Sequence, residues 1–460
     1  MHDNDQALLE RFQDRSATVG VIGLGYVGLP LALTFAERGF SVLGFDIDAS
    51  KVESLGSGEC YIRHLESDRV RSAIASGRLA ATSDFSRLDE PDAILICVPT
   101  PLTKQREPDM TFVRRAAFQV RERLRPGQLV VLESTTYPGT TGELLLPILE
   151  GRCDRRGAGG TARSAGGRAP SGIMRCGSDF FLAFSPERED PGNPAWGTSN
   201  IPKVVGGVDQ ISGDLAQALY GQVVDATVRV SSARVAEAAK LMENIFRAVN
   251  IALVNELKLV FDRMDVDMWE VLDAAETKPF GFMRFDPGPG WGGHCIPIDP
   301  FYLSWKAREY GVISKFIELA GEINTRMPAY VIDKLTVALN ERGKPVNGSK
   351  ILVLGLAYKP DIDDPRESPA FEIVDRLLGL GAEVSYHDPH IPVAPRMRSW
   401  PDLPAMQSVD LTVSALEAVD AVLLVTQHRD VDYDLVLNHA SLILDTRGTF
   451  RPCDGSVHRA

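Results

Sequence analysis

Gly23-Leu-Gly25-Tyr-Val-Gly28 stands directly after the apolar run Thr18 to Ile22 and directly before LPLALTFAERGF, whose apolar residues recur at helical spacing up to Gly39. A strand, a tight turn and a helix in that order leave few folds open. Glycines at these three places let backbone N–H groups close on a pyrophosphate at a helix N-terminus. Asp46 ends the next short run, SVLGFDID, about twenty residues on, where a carboxylate can accept hydrogen bonds from ribose hydroxyls. An acid at that place also repels the extra phosphate of NADP, so the pair predicts NAD. Lys51, a turn beyond Asp46, is a weaker candidate and otherwise an ordinary solvated lysine. AILICVPTP and LVVLEST supply further strand runs. Strands alternating with helical segments predict a parallel sheet covered by helices on both faces.

The rest of the chain divides where periodicity breaks. Residues 151–172, GRCDRRGAGGTARSAGGRAPSG, have too little apolar content to stay ordered and predict a mobile surface insertion. From Ser232 to Met264 there is neither glycine nor proline, which predicts a helix far beyond the mean of ~11 to 12 residues, a connector between domains and a dimer surface. GKPVNGSK then leads into KILVLGLAYKP, again strand plus glycine turn, and EVSYHDP, AVLLVTQH and SLILDTRG add short strands. The expected architecture is α/β: two Rossmann-like, doubly wound parallel-sheet domains joined by a long central helix and a helical middle region. Its divisions are 1–205, NAD-binding; 206–342, central, helical and dimerising; and 343–460, the second and smaller sheet domain.

Composition narrows the partners. Lys and Arg total 49 against 62 for Asp and Glu, a net charge of -13, so the surface repels nucleic acid and anionic membranes. An anionic substrate must therefore meet a local basic cluster. Cysteines at 60, 97, 153, 176, 295 and 453 form no CxxC pair, which fits a reducing cytoplasm. No stretch approaches the ~18 consecutive apolar residues of a membrane span, and the N-terminus reads as no export signal.

Pro287-Gly-Pro-Gly-Trp291-Gly292-Gly-His294-Cys295-Ile-Pro-Ile-Asp299 packs glycine and proline to bring the backbone close to something and then present one cysteine. A cysteine is nucleophilic where a cation or helix N-terminus favours its thiolate; otherwise it is a small buried hydrophobe. His294 invites a Cys-His reading, although adjacent side chains usually diverge. Cys97, inside AILICV, reads as core. Lys240 and Asn244, i and i+4 on the long helix, share a face on which an ammonium and an amide could meet a developing oxyanion; the bland alternative is a solvated lysine on an amphipathic helix. Ser185-Pro-Glu187-Arg188-Glu189-Asp190 sets three carboxylates beside a cation, suited to acid or base work or simply a charged turn.

GLGYVGLPLA with FDID, CVPTPL, EST, SPERED, AEAAKLMENIFRAVNIALVNE, GGHCIPIDP and GLAYKPDIDDPRESPA resemble, in order, the signature blocks of the UDP-glucose/GDP-mannose dehydrogenase family. That resemblance implies NAD-dependent oxidation of the C6 hydroxymethyl of a UDP-sugar to a carboxylate in two steps, and makes 343–460 the UDP-sugar-binding domain of a homodimer or higher homo-oligomer. GPGWGGHCIPIDPFYLSWKAREYG is most similar to the UDP-N-acetylglucosamine 6-dehydrogenase branch of polysaccharide biosynthesis, and Ile298 stands where UDP-glucose enzymes typically carry lysine. Carried onto this sequence, the resemblance makes Cys295 the nucleophile, with Lys240, Asn244 and Asp299 around it, Glu187 or Glu189 the base, and Thr135 an orienter of water. NAD contacts are then expected from Gly23, Gly25, Tyr26, Val27, Gly28, Asp46, Lys51, Thr100, Thr135 and Arg366. Substrate contacts are expected from Glu187, Arg188, Lys240, Asn244, Gly292 and Lys359. No metal is implied.

Two other readings use the same glycine turn. A simple two-electron dehydrogenase needs no cysteine nucleophile, against which the GGHC block argues. A non-catalytic NAD-binding regulatory protein would keep Gly23, Gly25, Gly28 and Asp46 without the cluster at 240, 244, 295 and 299.

Overall fold

The computed structural model describes residues 3–62, 65–103, 105–153, 173–188, 195–293, 295–397, 399–450 and 455–460. Most of the expected insertion lies outside them, as do Glu189 and His294. They form two compact units, residues 1–243 with 308–310 and residues 244–307 with 311–460.

The first unit is built on strands β1 (Thr18–Ile22), β2 (Ser41–Phe45), β3 (Leu79–Thr82), β4 (Ala93–Ile96), β5 (Leu129–Leu132), β6 (Phe181–Phe184), β7 (Lys203–Gly207) and β8 (Thr227–Arg229). They lie in the order β3-β2-β1-β4-β5-β6-β7-β8, the doubly wound order with its switch point between β1 and β4. The apolar runs become strands buried on both faces, β4, β5 and β6 completely, because helices cover each side. Within this otherwise parallel sheet β7 runs antiparallel to β6. The described residues of their connection form no helix, and an antiparallel partner needs no helical crossover. A second surprise is the N-terminal helix Asp3–Gln13. It buries Phe12 completely and clamps the fully buried Asp92 through Arg11 at 2.5 Å.

In the second unit β9 (Lys350–Leu354), β10 (Glu383–His387), β11 (Ala421–Leu424), β12 (Ile443–Asp445) and β13 (Val457–Arg459) form an all-parallel sheet ordered β10-β9-β11-β12-β13. This is the other common doubly wound order. Its first turn repeats that of the larger sheet. Gly23 has φ +93° and Gly355 φ +87°, and a Cβ on either would lie 2.4 Å from a carbonyl oxygen, of Cys97 and of Thr426. Only glycine meets both conditions. After β2 the Asp46 carboxylate accepts the Leu24 N–H at 2.9 Å, and after β10 the Asp388 carboxylate accepts the Leu356 N–H at 2.7 Å.

Two helices exceed all others among the described residues, Ala233–Arg263 and Lys315–Glu341. The first begins one residue after Ser232, as the absence of Gly and Pro predicts. The second contains Pro328, which can donate no hydrogen bond to the carbonyl of Asn324. No helix among the described residues is long and apolar enough to cross a membrane.

Candidate active site

In the first unit the residues expected at the cofactor gather where the strands end. A Cβ on Gly28 would stand 1.8 Å from the Gly23 oxygen, whereas one on Gly25 would meet nothing within 4 Å. The turn is thus closed beneath and open above, which suits a pyrophosphate held by backbone N–H groups. Tyr26 and Val27 are half-buried on the same turn. Asp46 is 6% exposed; beyond Leu24 it accepts the Asp48 N–H at 2.9 Å and faces the Lys51 ammonium at 3.5 Å. Lys51 is therefore half-buried over the Tyr61 ring rather than freely solvated. Cys97 is buried against the glycine turn, and burial pushes its thiol well up. Thr100 is buried and Thr135 half-buried, and Ser134 donates to the Val98 carbonyl at 2.7 Å, tying the ends of β4 and β5 together.

Glu187 follows β6. Its Oε1 accepts the Arg188 N–H at 2.7 Å, and its Oε2 lies 4.0 Å from Lys203 Nζ. Arg188 pairs with Glu243 at 2.8 Å. Sequence reasoning missed what stands behind Glu187: a fully buried Glu133 whose Oε2 lies 2.6 Å from Lys203 Nζ and whose Oε1 accepts the Tyr220 hydroxyl. The one signal was charge directly flanking apolar strand runs. Glu237 on the long helix was also missed. Its buried carboxylate accepts the N–H groups of Gly139 at 2.5 Å and Thr141 at 2.8 Å, fixing the loop after Thr135. Lys240, one turn on, is 7% exposed, so the solvated-lysine reading fails.

In the second unit the glycine-rich segment is wedged rather than loose. Gly288 N–H donates to Asn255 Oδ1 at 2.9 Å, Asn255 donates to Asn324 Oδ1 at 2.8 Å, and Asn324 donates to the Ala248 carbonyl at 3.2 Å. Gly290 packs where Pro328 leaves the Asn324 carbonyl, 3.4 Å from a Cβ placed on that glycine. Gly293, at φ +83°, donates to the Arg366 carbonyl at 3.1 Å. A Cβ on Gly292 or Gly293 would strike Tyr358 at 2.8 Å, so backbone must lie flat on YKPDIDDPRE. Asn255, Asn324 and Tyr358 were not foreseen; an amide inside the apolar text LVNELKL was the available hint. Cys295 comes next, half-buried, its carbonyl accepting the Asp299 N–H at 2.8 Å. Cys295 thus occupies the turn into the helix Asp299–Glu309, where N–H groups point outward and favour negative charge. Buried Asp299 accepts an N–H of fully buried Asn244 at 2.5 Å, and Arg247 donates to the Asn244 oxygen. The amide is thereby oriented, with one donor committed to Asp299. Lys359 is half-buried, and Arg366 is forked onto Asp364 at 2.6 to 3.0 Å.

Asp361, His390 and His428 bring three ligand-type atoms within 4.8 Å of one another. His428 nevertheless accepts the Asp361 N–H at Nδ1 and faces Asp388 through Nε2 at 3.2 Å, so neither nitrogen is left for a cation.

A closed glycine turn with its acid at the switch point of a doubly wound sheet, and a second such sheet in the same chain, define a two-sheet NAD-binding dehydrogenase. Comparison with known proteins sharpens the class. Models of the UDP-glucose/GDP-mannose dehydrogenase family match residues 17–224 as its NAD binding domain, 234–326 as its central domain and 352–452 as its UDP binding domain. The UDP-N-acetyl-D-glucosamine 6-dehydrogenase of Pseudomonas aeruginosa is 36% identical over 383 residues, 83% of this chain and 85% of that protein. The UDP-N-acetyl-D-mannosamine dehydrogenase of Pyrococcus horikoshii is 34% identical over 452 residues, 96% of this chain and 98% of that one. A solved structure of a UDP-D-ManNAc dehydrogenase from the same organism superposes with a TM-score of 0.82 and 32% identity, covering 96% of this chain and 98% of that one. The chain belongs to the UDP-glucose/GDP-mannose dehydrogenase family and is an NAD-dependent nucleotide-sugar dehydrogenase.

Proposed function

We propose that the chain oxidises the C6 hydroxymethyl of UDP-N-acetyl-D-glucosamine to the carboxylate, in two NAD-dependent steps with the aldehyde held covalently. The observation that carries this reading is Cys295, wedged by glycines into the turn that opens the Asp299 helix, with Asp299 in turn bound to Asn244. NAD, held at the Gly23 to Gly28 turn with Asp46 and with Thr100 and Thr135 beside it, supplies the electron acceptor for each oxidation. The Cys295 thiolate adds to the C6 aldehyde as a thiohemiacetal, whose oxygen Lys240 and Asn244 stabilise, and the second oxidation leaves a thioester. Water then forms the new C–O bond, Glu187 takes its proton, the C–S bond breaks and Cys295 leaves as thiolate. Thr135 orients that water. Arg188, Gly292, Lys359 and Arg366 are assigned to binding the anionic nucleotide, the three basic side chains meeting its charge despite a net charge of -13. The overall change is one alcohol, one water and two NAD to one carboxylate, two NADH and three protons.

N-acetylglucosamine is favoured over glucose by Ile298 in the GGHCIPID block and by the relative from Pseudomonas aeruginosa. The chain works in the cytoplasm, in polysaccharide biosynthesis, as a homodimer or larger homo-oligomer. Its functional divisions are 1–205, 206–342 and 343–460.

NADH formed per sugar, compared across UDP-N-acetylglucosamine, UDP-glucose, UDP-N-acetylgalactosamine and UDP-N-acetylmannosamine, tests substrate and stoichiometry together. Two NADH per sugar with UDP-N-acetylglucosamine as the best substrate is expected. Cys295→Ser should lose turnover by a hundredfold or more, on the order of that for a lost nucleophile, and stall with at most one or two NADH per active site. One NADH per sugar with an active serine variant excludes the cysteine mechanism.

A further inference from the structure

Lys203 opens β7 with its side chain 4% exposed, facing Glu133 at 0%. Two of its donors are answered, by Glu133 Oε2 at 2.6 Å beyond β5 and by the Pro186 carbonyl at 3.3 Å beyond β6, and Glu187 Oε2 faces the ammonium as a charge at 4.0 Å, beyond hydrogen-bond reach. Tyr220 closes the other side, its ring centroid 5.0 Å from Nζ and its hydroxyl donating to Glu133. A buried ion pair stabilises a fold little better than apolar residues of the same volume, so stability alone does not explain an ammonium here. Charge does. Burial pushes the Glu133 carboxyl up and Glu187 adds repulsion, and the Lys203 ammonium, 2.6 Å from the one and 4.0 Å from the other, offsets both. Burial opposes the charge on Lys203, but Glu133 and then Glu187 outweigh it and hold the ammonium above its usual range.

We infer that Lys203 is a positioning residue for hydrolysis: its buried ammonium, anchored by Glu133 and Tyr220, fixes the Pro186–Glu187 segment so that the Glu187 carboxylate stands ready to take the proton of the attacking water. The inference rests on the reading of Glu187 as the base. Lys203 touches no reacting atom, and its effect falls on one half of the reaction. Both oxidations proceed without Glu187 acting as base, whereas opening of the thioester does not.

Lys203→Met leaves Glu133 buried without its cation and can fail to fold, so the deciding variant is Lys203→Met with Glu133→Gln, which removes both charges at once. The whole enzyme is mixed with NAD and UDP-N-acetyl-D-glucosamine. Expected is a burst approaching two NADH per active site, then a steady state at least tenfold below wild type. A sugar-acyl adduct should appear in the intact mass, with KM little changed. Lys203→Arg should recover the steady state to within a few-fold, which a purely structural lysine in so tight a site would not allow. A folded double variant that turns over within twofold of wild type without adduct overturns the inference. So does a double variant that does not fold, since the pair would then serve the core. Glu187→Gln separates the two claims: absence of adduct there sinks the reading of Glu187 as base, whereas adduct there with none in the double variant sinks only the role of Lys203.

Discussion

Lys258 is 3% exposed, its Nζ 5.3 Å from the centroid of Trp269 and 5.1 Å from that of Tyr330, and it makes no hydrogen bond to a described residue. Burial pulls its pKa from 10.5 to about 7, Lys334 and Arg447 pull the same way, and Asp262 and Asp445 oppose them. The sign follows from proton counts. Between pH 7 and 10.5 the unfolded lysine binds a proton that the folded one has lost, so stability rises with pH across that window and is least below it. Lys258→Met should raise stability at pH 7 by about 1 to 3 kcal/mol and flatten the rise in Tm between pH 7 and 9. A lowered Tm with the slope intact would mean that the aromatic rings more than compensate the charge. Asp46 calls for a different test, because one of its backbone donors, Leu24, comes from the glycine turn and the other, Asp48, from the residues just after it. Asp46→Asn should cut activity with NAD and narrow the preference over NADP, measured as the ratio of kcat/KM for the two cofactors. An unchanged ratio would refute the charge argument.

At the scale of elements, the long helix leaves Val235, Met242, Phe246, Leu253 and Val260 between 44% and 65% exposed. Their spacing of seven, four, seven and seven keeps them on one stripe. An apolar stripe on an element of this length calls for a cover, and the homo-oligomer proposed above would supply one of matching chemistry. Light scattering should find a dimer or larger assembly in the wild type and a monomer in the double variant Leu253→Asp with Val260→Lys, which keeps the far-UV spectrum of the native fold. A monomeric wild type at micromolar concentration removes the argument. This helix was readable from the sequence because nothing in Ser232 to Met264 stops one, while the antiparallel β7 was not, because strand sense is decided by the connection rather than by the strand's own residues. The same limit hid the Glu133 and Lys203 pair. Seventy residues separate them, and periodicity reports only on neighbours within one element.

Over the whole molecule, what the sequence disclosed best was what repeats a local device. Gly23, Gly25, Gly28 and Asp46 were legible because one turn and one strand contain them. The asparagine relay from Gly288 through Asn255 and Asn324 was not, since it joins three segments. Both sheets use the glycine turn and the acid that buttresses it, yet the two acids differ in their obligations. Asp46 accepts two backbone N–H groups and faces Lys51. Asp388 gathers the N–H groups of Leu356, Ala357, His390 and Ile391 together with His428 Nε2. Burial works against its charge, but His428 and the amides prevail and hold its carboxyl down at about 2. Loss of Asp388 would strand five donors at once, each at about 1 to 3 kcal/mol, whereas loss of Asp46 strands two backbone N–H groups and the part-exposed Lys51 ammonium. The two copies of the turn are therefore unequally free to drift: the first can trade its acid and with it a cofactor preference while the fold survives, and the second is locked by its own bonding, so that variation in what the second sheet recognises has to come from residues other than Asp388.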